Sequence, residues 1–204
     1  MYFLTIIDDY SRSVFAYPLK TKSDFFNTFS RFQKLAERFL DRKNKFIRTD
    51  NGLQFINEQF HNFCDELGIK HERTNIYTPQ QNGVSERFNY TAVDGINVLL
   101  KDSDLGQGFW SEALLHFVYT WNRICDLNQS KTPFELYGGK QPSIKHLKPF
   151  GCKAFVHTPK KLRKKLDTRP KWRILVGYAL QTKGCRIWLP ESCKVIETIN
   201  VRFD

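Results

Sequence analysis

The pattern of apolar residues changes character at Gly151, and that change limits the folds open to the chain. Before it, short apolar runs alternate with stretches of helical period. After it come only short β-like runs, "CKAFVHT", "RILVGYAL", "CRIWLP" and "KVIETINVRF", separated by Pro, Gly or charged turns. Strands alternating with helices imply an α/β domain with a mixed sheet, and clustered short strands imply a small barrel-like all-β module. The segment "YGGKQPSIKHLKP" (Tyr137 to Pro149) carries the Gly and Pro of a boundary. The expected division is residues 1–138, a linker at 139–150, and a module at 151–204.

Charge follows the same division. The formal net charge is +11, of which residues 140–204 carry +12 and the first 139 residues −1. A near-neutral domain joined to a basic module points to nucleic acid as partner, against the simpler reading of a basic soluble surface. No run approaches the roughly 18 apolar residues of a membrane span, and "MYFLTIIDDYSR" becomes acidic too early for a signal peptide. The expectation is an intracellular protein, nuclear if functional. Five scattered cysteines, an odd number with no C-x-x-C pair, predict reduced core residues and no zinc site. His61 and Cys64, one turn apart, read as a helix face and not as metal ligands.

Within the first part, Tyr2 to Ile7 and Ser13 to Lys20 form a predicted hairpin around "DDYSR". Ser23 is the expected cap of a helix with Phe25, Phe29, Phe32, Ala36 and Phe39 on its apolar stripe. Lys45 to Thr49 is a strand ending on Asp50, and a helix from about Asn57 to Leu67 stops at Gly68. "IKHERT" is a further strand. A helix begins near Val84 with Phe88, Ala92, Ile96 and Leu99 inward and Glu86 off the stripe, and another spans Phe109 to Ile124. Trp172 and Trp188 are expected in the barrel core.

Asp50 closes a strand and Glu86 opens a helix 36 positions later. Two carboxylates so placed offer hard oxygen ligands to divalent ions, with phosphate oxygens completing the shell. In a two-metal site the ions, about 3.5–4 Å apart, clamp the attacking and leaving oxygens of a displacement at phosphorus. Spacing alone does not separate this reading from ordinary surface carboxylates, since the chain has 21 acidic residues.

In order, "YFLTIIDDYSR", "RTDNGLQF", "LGIKHERTNIYTPQQNGVSERFN", "FWSEAL", "KTPFELYGGKQPSIKHLKPFGCKAFVH" and "ILVGY" resemble the integrase segment of copia-type LTR retrotransposon Pol polyproteins. The resemblance implies a ribonuclease-H-like catalytic core of DDE type that joins element DNA to target DNA, followed by an SH3-like module. It implies Mg²⁺ or Mn²⁺ held by Asp50 and Glu86, a mobile active-site loop at Gln81, Asn82 and Gly83, and homo-oligomers as a further partner state.

The sequence departs from that family in two ways. The family's first catalytic aspartate lies on a strand ahead of the one resembling "YFLTIID", and the zinc-binding His/Cys region precedes the core. Neither is found between Met1 and Asp204. The expectation is therefore a truncated core impaired in catalysis, with Asp8 a weak substitute ligand that more simply braces its turn. The alternatives are a DNA-binding remnant without catalysis and a degenerate or partial gene model. After Glu86 the helix has Arg87 and then no Lys or Arg until Lys101, which implies a weak hold on DNA there. The candidate phosphate contacts are Arg87, Lys160, Lys161, Arg163, Lys164, Lys165, Arg169, Lys171 and Arg173, the run doubling as a nuclear-import address or a solvated loop.

Overall fold

A computed structural model describes residues 2–74, 83–125, 129–156, 172–180 and 182–203. Contacts divide the chain into two compact units, one of residues 1–9 and 15–90, the other of residues 10–14 and 91–204.

In the first unit, β1 (Tyr2–Ile7) pairs with β2 (Val14–Leu19), and β3 (Phe46–Thr49) pairs in parallel with β4 (Lys70–Arg73). Parallel pairing requires a crossover, supplied by α2 (Glu58–Leu67). Its ends follow the sequence: the Asn57 side chain accepts from the Phe60 N–H at 2.8 Å, and Gly68 terminates it in the left-handed region at φ 65°. The ladder continues past β3 and β4, where the Thr74 N–H donates to the Thr49 carbonyl at 3.1 Å.

Phenylalanine dominates the core of this unit. Leu4, Phe25, Phe29, Phe60, Cys64 and Ile69 are buried together, with Ile6, Tyr17, Leu19, Ile47, Phe55 and Phe63 packed around them. Phe60 is fully buried, with the rings of Phe25, Phe29 and Phe55 all within 5.8 Å of its centroid. Such tilted and edge contacts add stabilisation beyond area burial. His61 turns outward to Asp65, at 2.8 Å, while Cys64 turns into this core, so the two share no site.

Two details differ from expectation at α1 (Phe25–Leu40). The cap is not Ser23. Asp24 instead accepts from the Thr21 N–H at 2.9 Å, after which a short 3-10 turn leads into the helix. Phe39 is 65% exposed, because the buried stripe of Phe25, Phe29, Phe32, Gln33 and Ala36 drifts past it in the last turn.

In the second unit, α3 (Gly83–Asp102), whose first part belongs to the first unit, is followed by α4 (Trp110–Trp121) and α5 (Pro133–Gly138). Ala92, Ile96 and Leu100 of α3 are buried, as are Ala113, Leu114 and Val118 of α4. Gly95 permits their close approach, because a Cβ there would meet the Phe117 ring. The Asn122 side chain accepts from the Val14 N–H at 2.8 Å and donates to the Val14 carbonyl at 2.7 Å.

The all-β module is a five-stranded antiparallel sheet ordered β8-β7-β6-β5-β9, formed by β5 (Lys153–Val156), β6 (Trp172–Tyr178), β7 (Cys185–Leu189), β8 (Lys194–Thr198) and β9 (Val201–Phe203). The apolar run "KVIETINVRF" thus makes two strands, which lets β9 close on β5 at the opposite edge from β8. Ala154, Leu175 and Ile187 form the buried centre. Trp172 is not part of it: at the first residue of β6 it is 53% exposed, under Lys153 Nζ. Trp188 packs edge-on against Phe109, with centroids 5.0 Å apart. All five cysteines are free, and Cys125 and Cys193 are exposed and so are not core residues. No helix among the described residues is long and apolar enough to cross a membrane.

Candidate metal and nucleic-acid site

Asp50 is the first residue beyond β3 and is exposed. Its Oδ1 accepts from the Gly52 N–H at 3.0 Å, a local turn bond typical of Asp. The chain then folds over itself, with the Phe55 N–H donating to the Gly52 carbonyl at 2.9 Å. The Asn51 side chain donates to the Thr74 carbonyl at 2.8 Å, tying this turn to the end of β4. The strand end is therefore fixed while the carboxylate faces water.

The residue before Asp50 is equally constrained. Thr49 is buried, and its hydroxyl donates to the Asp50 carbonyl at 3.0 Å and meets His71 Nε2 at 2.8 Å. With its single proton on the Asp50 carbonyl, the hydroxyl enters the second bond as acceptor, which requires the tautomer that is protonated at Nε2. His71 sits edge-on to Phe60, with centroids 5.1 Å apart, and burial lowers its pKa, helped by Arg73 and His61. Nearby, Glu72 takes both Lys70 at 3.2 Å and Arg48 at 3.3 Å, and those hydrogen bonds lower its pKa.

Glu86 lies in the first turn of α3, exposed, in the same compact unit as Asp50. One turn further on, Asn89 accepts from the Thr5 hydroxyl of β1 at 2.8 Å, which fixes the helix start against that strand. Carboxylates favour this end of a helix. Gly83 is the first residue of α3, Arg87 is exposed on it, and Asp8 is half-buried immediately after β1. Gln81 and Asn82 lie outside the described residues, as do Lys160, Lys161, Arg163, Lys164, Lys165, Arg169 and Lys171. Arg173, on β6, makes an ion pair with Glu191 at 3.2 Å.

Among the described residues no group of three or more His, Cys, Asp or Glu side chains gathers to hold a metal ion. Asp50 and Glu86 are both exposed carboxylates, the type of hard oxygen ligand that a divalent cation takes. Sequence reasoning did not find the bonds that Thr49, Asn51 and His71 make around this strand end. The available signal was a polar residue at an inward position on each of two neighbouring strands.

A family model described as the integrase core domain matches residues 1–79, and one described as the retroviral polymerase SH3-like domain matches residues 152–204. The chain is 41% identical over 203 residues to the retrovirus-related Pol polyprotein from transposon TNT 1-94 of Nicotiana tabacum, covering 99% of this chain and 15% of that protein. It is 30% identical over 205 residues to the corresponding polyprotein from transposon RE1 of Arabidopsis thaliana, covering 100% of this chain and 14% of that one. The chain thus spans about one seventh of the length of the curated relatives it matches. A chain of the simian T-cell lymphotropic virus intasome in complex with PP2A regulatory subunit B56 gamma shares the fold, with a TM-score of 0.53 and 23% identity over 92% of this chain and 62% of that one. The chain thus carries an integrase core domain at its start and a retroviral SH3-like domain at its end, and it is similar to plant retrotransposon Pol polyproteins over its whole length.

Proposed function

We propose that this chain is the integrase segment of a copia-type retrotransposon polyprotein, acting in divalent-metal-dependent polynucleotidyl transfer that joins element DNA to target DNA. The observation that carries the reading is Asp50: an exposed carboxylate on a strand end anchored by the Asn51 side chain, within the stretch matched by the integrase core domain. Asp50 and Glu86 hold Mg²⁺ or Mn²⁺, which when bound activates the attacking oxygen and stabilises the leaving one. Gln81, Asn82 and Gly83 shape access to DNA, and Arg87 with the basic run from Lys160 to Arg173 neutralises phosphates without reading sequence. Its partners are element ends, target DNA and further copies of the chain.

The test is Mn²⁺ binding by calorimetry beside Asp50→Asn and Glu86→Gln, followed by strand transfer on an oligonucleotide duplex. The expected result is binding that each substitution abolishes. Binding indifferent to both would remove these carboxylates from the site. A second reading, DNA binding without turnover, is favoured because no three His, Cys, Asp or Glu side chains gather among the described residues. It predicts salt-sensitive duplex affinity with neither metal binding nor strand transfer.

A further inference from the structure

His71 is a half-buried histidine that the chemistry proposed above does not use. It lies on β4, 21 positions from Asp50 in sequence but one strand away in the parallel ladder, opposite Ile47. Its side chain therefore emerges on the same face as Ile47 and Thr49. The ring rests against Phe60, the fully buried centre of the aromatic core, and its Nε2 reaches the Thr49 hydroxyl at 2.8 Å. The Thr49 hydroxyl in turn donates a hydrogen bond to the Asp50 carbonyl at 3.0 Å. A continuous path thus runs from the fully buried Phe60 ring to the backbone of the carboxylate residue.

The path differs from the other ties at this strand end. The Thr74 N–H fixes the Thr49 carbonyl, and the Asn51 side chain fixes the turn beyond Asp50. Neither touches the Asp50–Asn51 peptide unit, which carries the Asp50 carbonyl and sets the second backbone dihedral at Asp50. The Thr49 hydroxyl bonds to the oxygen of that residue, and a threonine hydroxyl is free to rotate unless a second partner sets its direction. His71 is that partner, because its N–H takes one lone pair of Oγ1 and directs the Thr49 proton onward.

We propose that His71 is a positioning residue for Asp50, holding the Thr49 hydroxyl on the Asp50 carbonyl so that the carboxylate is presented in one orientation. The proposal rests on the reading of Asp50 as a metal ligand for its functional meaning, whereas the positioning itself is a property of the metal-free chain. Supports one bond removed from a ligand change metal affinity by roughly 10–100-fold in other proteins.

The experiment uses the whole chain with His71→Phe, His71→Gln and Thr49→Val. Phenylalanine keeps the ring on Phe60 and removes the donor, glutamine restores a donor at the reach of Nε2, and valine removes the hydroxyl at almost constant shape. The primary readout is solvent exchange of the Gly52 amide by NMR without metal, because that N–H donates to Asp50 Oδ1. Asp50→Ala sets the scale for the bond's complete loss. Expected are about fivefold faster exchange in His71→Phe and Thr49→Val, no further gain in the double variant, and recovery in His71→Gln. Mn²⁺ affinity should fall about tenfold in the first two and recover in the third. Unchanged Gly52 exchange in both His71→Phe and Thr49→Val would overturn the proposal, and so would a His71→Phe effect that glutamine does not rescue. If wild-type Mn²⁺ binding is absent or indifferent to Asp50→Asn, the metal reading fails by itself, and the exchange data alone decide the positioning.

Discussion

Acidification should destabilise the second unit through His116, well above the pH at which most carboxylates titrate. The imidazole lies on α4, 5% exposed, stacked on Tyr178 with centroids 5.3 Å apart and edge-on to Phe150 at 5.4 Å. Its Nδ1 is buried without a hydrogen-bond partner among the described residues. Burial lowers its pKa from 6.5 to about 4. Since the folded value lies below the unfolded one, proton uptake favours the unfolded chain. The stabilisation is complete above about pH 6.5 and drains as the pH falls towards 4. Each pH unit in that window removes about 1.4 kcal/mol, so the loss between pH 6.5 and pH 5 is about 2 kcal/mol. His71 and His146 are shifted in the same direction by burial, so the contribution must be isolated by difference. Urea unfolding at pH 7.5, 6 and 5, followed by tryptophan fluorescence, should be compared between wild type and His116→Phe. The phenyl ring preserves the stacking volume, so the variant should lie within about 1 kcal/mol of wild type at pH 7.5. It should then overtake wild type by about 2 kcal/mol at pH 5. Parallel stability profiles for the two proteins would refute the argument, because they would mean that folded His116 accepts its proton without cost.

Other substitutions probe the packing. Gly95→Ala should lower stability by about 1–2 kcal/mol despite the better helix propensity of alanine, since the new methyl meets the Phe117 ring; a thermal melt decides the sign. Asn122→Ala strips both bonds from the Val14 backbone, a residue only 2% exposed, and should cost about 2–3 kcal/mol by urea titration. Arg186 bridges Glu112 at 2.7 Å and Glu197 at 3.0 Å with its side chain 18% exposed, and Arg186→Met should cost about 2 kcal/mol by removing the cation from part-buried Glu112, while Glu197 keeps the Leu180 N–H and the Thr182 hydroxyl. Raising salt should recover little of that loss, unlike the loss of an exposed surface pair.

What could be read from the sequence was local. The start of α2 near Asn57 and its stop at Gly68 follow from short-range backbone chemistry, and the inward stripe of α3 at Phe88, Ala92 and Ile96 follows from helical period, although Leu100 and not Leu99 takes its last buried place. The misplaced cap at Ser23 arose where three successive polar residues compete, and the Asp24 carboxylate wins by bonding Thr21. Trp172 was misjudged because its bulk suggested a core position, whereas it occupies the first residue of a strand end that the sheet leaves open. Near the candidate site, the strand end at Asp50 was legible because an Asn-Gly turn follows it. His71 was not, because its link to Thr49 depends on the register of two parallel strands separated by a whole helix. Register of that kind is set by packing rather than by any short motif.

The module boundary expected between residues 139 and 150 invites a final test, because several contacts of the second unit run across it. Tyr119 of α4 stacks on Tyr178 of β6 with centroids 4.2 Å apart and bonds His146 at 2.8 Å. Phe109 packs on Trp188, and Glu112 holds Arg186 through two bonds, of 2.7 and 2.8 Å. Among the described residues, the sheet's own buried cluster is Ala154, Leu175 and Ile187, with half-buried side chains such as Val156, Ile196 and Phe203 packed against it. A fragment of residues 139–204 would keep that small centre while exposing one side of Tyr178 and Trp188 and half of the Arg186 network. Chains of this size bury too little surface to tolerate such losses without disulfides or metals. Residues 139–204 alone should therefore show no cooperative thermal transition and weak near-ultraviolet circular dichroism, whereas residues 83–204 should melt in one step. A sharp melt of the short fragment at the midpoint of the longer one would mean that the contacts with α4 add nothing to the sheet. The basic module would then be an autonomous unit that the linker merely tethers.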